Sequence, residues 1–281
     1  MAREPQRSAR WRVLVAGFAG LVSVAGYAAI LAAIPGMEQP LAALLGVFLA
    51  AYASAVVGFA FSALCLPILA NAGLDVLTMV QTLMICSIAI YGWSSYALRR
   101  DIDVAALAPM LLGGLCALPF GVWLLLKLPG GSLHASILGV LLLAYGLFAL
   151  LRPPPTLPRA QDWRTDTLVG ATGGLTGALA AFPGAMIAIW CALKPWAKER
   201  QRAVLQAYIL VMQIAALGVI AALSEATGKA VAPDPAAFCY LLPAALGTFC
   251  GLEVFRFMTE RQFGRSVNVL LVLSGLAMLL T

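Results

Sequence analysis

Nine apolar runs follow one another along this chain, at 13–34, 41–70, 76–98, 104–126, 133–151, 168–193, 203–224, 236–257 and 266–281, parted by short polar loops. Only helices and closed barrels satisfy their backbone groups in lipid. A barrel would alternate polar and apolar residues over segments of about 10 residues. These runs are continuous, as spanning helices require. Charged residues are only 11% of the chain, against about 25% in soluble domains. The expected class is an all-α polytopic membrane protein.

The formal net charge of +6 does not point to nucleic acid. Lys and Arg sit in the loops, where they orient a chain in the bilayer. The six cysteines (Cys65, Cys86, Cys116, Cys191, Cys239, Cys250) all lie in apolar runs and form no CxxC or Cys/His cluster. They read as small apolar filler, so no metal and no cofactor is expected. The basic start MAREPQRSARWR precedes an apolar run, Val13 to Ile34, that is longer than the 7–15 residues, roughly, of a signal peptide's apolar region. It is expected to stay as a first transmembrane helix with a cytoplasmic N-terminus, although cleavage near Ala29 to Ala33 is the other reading.

The remainder divides into two similar halves. LLGVFLAAYASAVVGFAFSALCLP (44–67) aligns without gaps on LVGATGGLTGALAAFPGAMIAIWC (168–191), placing Gly46 on Gly170 and Gly58-Phe59-Ala60 on Phe182-Pro183-Gly184. Farther on, Gln81 falls opposite Gln206, and Gly113 and Cys116 opposite Gly247 and Cys250. An ordered series of matches suggests a duplication. The expected organisation is residues 1–40 as N-terminus and first helix, 41–151 as repeat 1, 152–166 as a proline-rich cytoplasmic linker and 167–281 as repeat 2.

Charge then sets topology. Arg3, Arg7, Arg10 and Arg12 favour the cytoplasm, as do Arg99 and Arg100, the linker arginines, the Lys194–Arg202 stretch, and Arg256, Arg261 and Arg265. The run 168–193 is basic on both flanks, so it crosses an even number of times or re-enters. Phe182-Pro183-Gly184 divides it into arms of about 13 residues, or ~20 Å of helix, too short for a hydrocarbon core of about 30 Å. The run 41–70 raises the same conflict and is resolved the same way, by a turn near Gly58 to Ser62. Each repeat is then one re-entrant helical hairpin plus three transmembrane helices. The odd number of spans makes the two repeats inverted.

Such turns imply a site. Irregular backbone at membrane depth is tolerated where it is packed in protein or lines a cavity. Each turn starts a half-helix whose first N–H groups lack partners and whose dipole favours an anion. The expected substrate-binding residues are Ala60, Phe61 and Ser62 at the first turn and Pro183, Gly184 and Ala185 at the second. Gln81 and Gln206, at matching places, can donate amide hydrogen bonds without fixed charge. Tyr208 and Gln213 share the helix of Gln206.

GFAFSALCLPIL (58–69) and AAFPGAMIAIWCALKPWAKERQRAVLQAYILVMQ (180–213) resemble the first- and second-repeat motifs of the TauE/SafE family of sulfite and organosulfonate exporters. The resemblance covers roughly 41–281 and leaves the first helix outside. It implies export of small sulfur oxyanions or organic anions across a prokaryotic inner membrane. The family's frequent triple glycine is absent; GFAFS and AFPGA stand in its place, which leaves the substrate open.

Other classes fit less well. An intramembrane enzyme would need an acid pair, a Ser/His pair or a metal cluster at depth, and His134, read as part of a 127–134 loop, is the sole histidine. A non-transporting membrane scaffold would not need two anion-facing breaks. The expected partners are a small anion, the lipid bilayer and, in a homodimer, a second copy of the chain.

Overall fold

The computed structural model describes residues 4–33, 41–74, 76–127, 132–151, 162–180, 183–226 and 235–280. Every regular element among them is a helix: α1 (Glu4–Ala32), α2 (Leu41–Val57), α3 (Phe61–Asn71), α4 (Val76–Ala97), α5 (Val104–Lys127), α6 (Ser132–Leu151), α7 (Trp163–Ala180), α8 (Gly184–Ala192), α9 (Lys198–Ala226), α10 (Pro235–Phe238), α11 (Leu241–Phe257) and α12 (Glu260–Leu280). Val104–Gly121, Lys198–Val219 and Pro235–Phe257 are long and apolar enough to cross a membrane; Leu41–Val57 and Phe61–Asn71 are shorter apolar helices. Large apolar side chains such as Val104, Leu151 and Leu168 stand on the outer surface. Water would penalise that surface and hydrocarbon would not, which fits a multi-pass membrane protein. Linker residues 152–161 and Phe182 lie outside the described residues. His134 falls in the first turn of α6, not in a loop, because that helix opens at Ser132.

Both interrupted runs break into helix pairs. α2 and α3 are parted by Gly58, Phe59 and Ala60, and Pro183 opens α8. The arms are unequal, unlike the sequence expectation. α2 has 17 residues and α3 has 11; α7 has 18 and α8 has 9. At about 1.5 Å per residue the arms run from roughly 14 to 27 Å. α7 gains length because it begins at Trp163, inside the stretch read as linker, where the Asp162 carboxylate accepts the Arg164 N–H at 3.3 Å. Asp166 in its first turn suits the helix dipole. α8 stops just before Lys194-Pro195, since a residue preceding proline avoids helical backbone.

The halves interlock. α5 packs along α7 and α2 along α11, so the first arm of each hairpin lies against a helix of the other half. α6 packs on α12 and α4 on α9, while α1 covers α2 and α11 from outside. Glycine permits the tight contacts. Gly113 of α5 faces the Thr167 carbonyl, Gly170 of α7 faces the Met110 carbonyl, and Gly247 of α11 faces the Phe48 carbonyl, each too close for a Cβ. Small residues at helix crossings are the usual route to close packing in lipid, where burial from water supplies no drive.

Candidate functional site

The first turn carries backbone strain. Gly58 has φ 101° and Ala60 has φ 75°. The left-handed conformation costs a non-glycine residue about 1–2 kcal/mol, and it redirects the chain so that α3 starts at Phe61. The N-cap residue of α3, Ala60, has no side chain that could cap the helix. Its first N–H, from Phe61, donates to the Tyr91 hydroxyl at 3.4 Å, and that hydroxyl shares a 3.3 Å bond with Ser54. At the second turn Pro183 is the cap of α8 and again no side chain satisfies the helix end. Both half-helices therefore begin with backbone donors that regular helix bonding leaves over.

The two turns meet. Ala60, Phe61 and Ser62 from one, and Pro183 and Gly184 from the other, line a single cavity with Tyr91 of α4 and Ile209 and Gln213 of α9. About 10 Å³ there is open to the centre of a water molecule, room for about one water. Gly184 packs against Ile209: a Cβ on it would stand 2.5 Å from Ile209 Cδ1, which would have to shift.

α9 presents one polar stripe to this region. Arg202, Gln206, Ile209 and Gln213 are spaced by four, three and four residues, which places them on one helix face. Gln206 is fully buried and neither its amide nitrogen nor its oxygen has a partner. Arg202 is fully buried too, with Nε, Nη1 and Nη2 unpartnered and its guanidinium 4.1 Å from the centre of the Phe255 ring. Both side chains press on the first turn, their Cγ atoms 3.0 Å and 3.6 Å from where a Gly58 Cβ would be.

At the mouth of the second hairpin, Lys194 Nζ meets Asp166 Oδ1 at 2.6 Å, with both side chains buried. Trp190 Nε1 donates to the same oxygen at 2.6 Å. Beyond it, Trp196 and Arg200 stack at 4.3 Å, and Arg200 pairs with Asp103.

Of the residues expected at the site, Ala60, Phe61, Ser62, Pro183, Gly184 and Gln213 share the cavity. Ala185 follows Gly184 in α8 and is buried. Gln206 sits one turn from Ile209 toward Arg202. Tyr208 points elsewhere: its hydroxyl donates to the Gly170 carbonyl at 2.7 Å, beside Gly114 and Gly173. It is a strut between α9 and α7. Gln81 lies on α4, but its side chain is outside the described residues. Sequence reasoning missed Tyr91, Ile209 and Arg202. Tyr91 and Ile209 look like any residue of an apolar helix. Arg202 had a signal, its four-residue spacing from Gln206, which was hidden among the basic residues 194–202 that set topology.

A family model described as "Sulfite exporter TauE/SafE" matches residues 42–278, from the start of α2 almost to the end of α12. No curated protein and no solved structure matches the chain.

Proposed function

Because the chain belongs to the TauE/SafE family of sulfite exporters, we propose that it carries small anions such as sulfite or organosulfonates out across a prokaryotic inner membrane. The anion binds near the bilayer midplane, between the two hairpin turns. The observation that carries this reading is the convergence of two helix N-termini, neither capped by the side chain of its own N-cap residue, on one cavity. The first-turn N–H groups and the positive dipole ends of two half-helices attract an anion while adding no fixed charge.

In this reading the halves are inverted repeats whose hairpins re-enter, the first from outside and the second from the cytoplasm, where the N-terminus also lies. Support comes from the reciprocal packing of α5 with α7 and α2 with α11. Arm lengths below a core of about 30 Å add to it, as does the ion pair that brings the two ends of the second hairpin together. Broken helices facing each other across inverted repeats are a recurrent transporter design. The cavity holds about one water, so an oxyanion enters only when the turns part. Rocking of one half against the other, with α9 and α4 between the turns, would open it to each side in turn. Export of a monoanion is favoured by an interior-negative potential by about 2.3 kcal/mol per 100 mV.

The test is flux of labelled sulfite, sulfate, thiosulfate and small sulfonates in proteoliposomes, with and without a membrane potential. Saturable, potential-sensitive flux that falls in Gln213→Ala is the expected result. Folded protein that moves none of these anions would sink the reading.

A further inference from the structure

We propose that Arg202 and Gln206 form a second anion station, on the α9 N-terminal side of the turn cavity, that selects oxyanions by a bidentate guanidinium contact. The role of this station in a transport path rests on the carrier reading above; its ability to bind an anion does not.

The argument starts from an imbalance. Arg202 is fully buried, yet none of its three guanidinium nitrogens has a partner. A buried charge without a counter-ion costs several kcal/mol, and an arginine has five N–H donors to satisfy. The guanidinium carbon stands 4.1 Å from the centre of the Phe255 ring, and the N–H donors around it stay unmet. The acids nearby are committed elsewhere. Asp103 pairs with Arg200, Asp166 with Lys194 and Glu253 with Arg256, while Glu260 accepts the Lys198 backbone N–H at 3.1 Å and Glu199 lies 3.5 Å from Lys198. Among the described residues, no protein carboxylate balances Arg202.

Gln206 repeats the pattern one turn on, with an amide that is fully buried and unpartnered at both atoms. Two adjacent unsatisfied side chains on one face, both against the Gly58 turn, mark a place that lacks an acceptor. An anion supplies it. The planar guanidinium fork matches two oxygens of an oxyanion in a way that a point-charge lysine does not, and the Gln206 amide N–H can donate to a third. A halide, with a single atom, cannot take two parallel N–H bonds on separate acceptors and fits the fork less well. Seven residues separate Arg202 from Ile209, about 10 Å along α9. An anion at Arg202 therefore lies one step from the turn cavity, and Gly58, which has no Cβ, keeps bulk out of the contact.

The experiment uses the purified full-length chain in detergent, melted in sodium sulfite, sodium sulfate or sodium chloride at matched ionic strength. Arg202→Gln, Arg202→Met and Arg202→Lys are compared with the parent. The oxyanions are expected to raise the parent's Tm saturably and chloride is not. Half-saturation should weaken by roughly tenfold or more in Arg202→Gln, the loss of about one charge-assisted contact, and less in Arg202→Lys. Without anion, Arg202→Gln and Arg202→Met should melt no lower than the parent, because they remove an unbalanced charge; a purely structural arginine would behave oppositely. Unchanged half-saturation, equal stabilisation by chloride, absence of any anion effect on the parent, or misfolding of both neutral variants overturns the proposal. Flux in the same preparations separates the two readings. Oxyanion stabilisation with no transport leaves the binding station and removes the carrier, whereas transport with parent-like half-saturation in Arg202→Gln does the reverse.

Discussion

Asp166 and Lys194, 28 positions apart in sequence, meet at 2.6 Å and tie the entrance of α7 to the exit of α8. Lys194 also lies 4.6 Å from the centre of the Trp196 ring, and Trp190 donates to the same carboxylate oxygen. The second hairpin is thus clasped at its open end. Removing one partner strands the other as a buried charge, at about 3–5 kcal/mol. Asp166→Asn and Lys194→Met should each lower the melting temperature of the purified protein sharply, and the double variant should recover part of the loss. Losses that simply add would mean that the pair does not couple the two arms.

The hairpin reading predicts sidedness. Leu41 at the start of α2 and Ala197 just before α9 are both exposed. Of the six cysteines only Cys116 is exposed, so Cys116→Ser supplies a quiet background. A membrane-impermeant maleimide should reach Leu41→Cys from the outside only and Ala197→Cys from the cytoplasm only. Labelling of both from one face would remove the proposed inverted arrangement.

Gly184 and Ile209 form a size-matched pair at the cavity. A methyl on Gly184 would stand 2.5 Å from Ile209 Cδ1 and 3.4 Å from Phe59 Cβ. Gly184→Ala should therefore slow anion flux by narrowing the space between the turns. Ile209→Val removes the colliding methyl and should restore flux in the double variant. A double variant as slow as Gly184→Ala would show that the loss arises from the backbone of the turn.

Gly113 and Gly247 test the interlock of the halves. Each faces a carbonyl of the opposite half's hairpin, Thr167 and Phe48, whereas Gly264 has nothing within 4 Å of its Cβ position. Gly113→Ala and Gly247→Ala should destabilise by about 1–3 kcal/mol through forced separation of the helices. Gly264→Ala should be neutral or stabilising by up to about 1 kcal/mol, since alanine is the better helix former. Thermal melting of the three variants side by side checks this.

Much of the turn cavity was legible beforehand, because helix breakers inside apolar runs are local features. Phe182-Pro183-Gly184 and Gly58-Phe59-Ala60 announce themselves by proline and glycine chemistry, and five residues at or beside them line the cavity. Tyr208 lies outside the cavity lining, and periodicity, which fixes only the side of a helix, does not tell that. Whether a hydroxyl on that side meets a substrate or the Gly170 carbonyl depends on which helix lies opposite. Arm lengths were missed for a related reason: α7 runs into polar sequence because Asp166 finds Lys194 and Trp190 there.

By itself the sequence determined the class, the breaks and the family, since each rests on solvent preference or local backbone chemistry. Tertiary structure decided which breaks meet, which helices exchange between the halves, and which charge is buried. Arg202 shows the difference. Among the residues 194–202 it reads as one more cation at a membrane boundary, but the chain folds the Gly58 turn and Phe255 over it and, among the described residues, brings it no acid. Burial and pairing are properties of neighbours distant in the chain, and no local pattern encodes them.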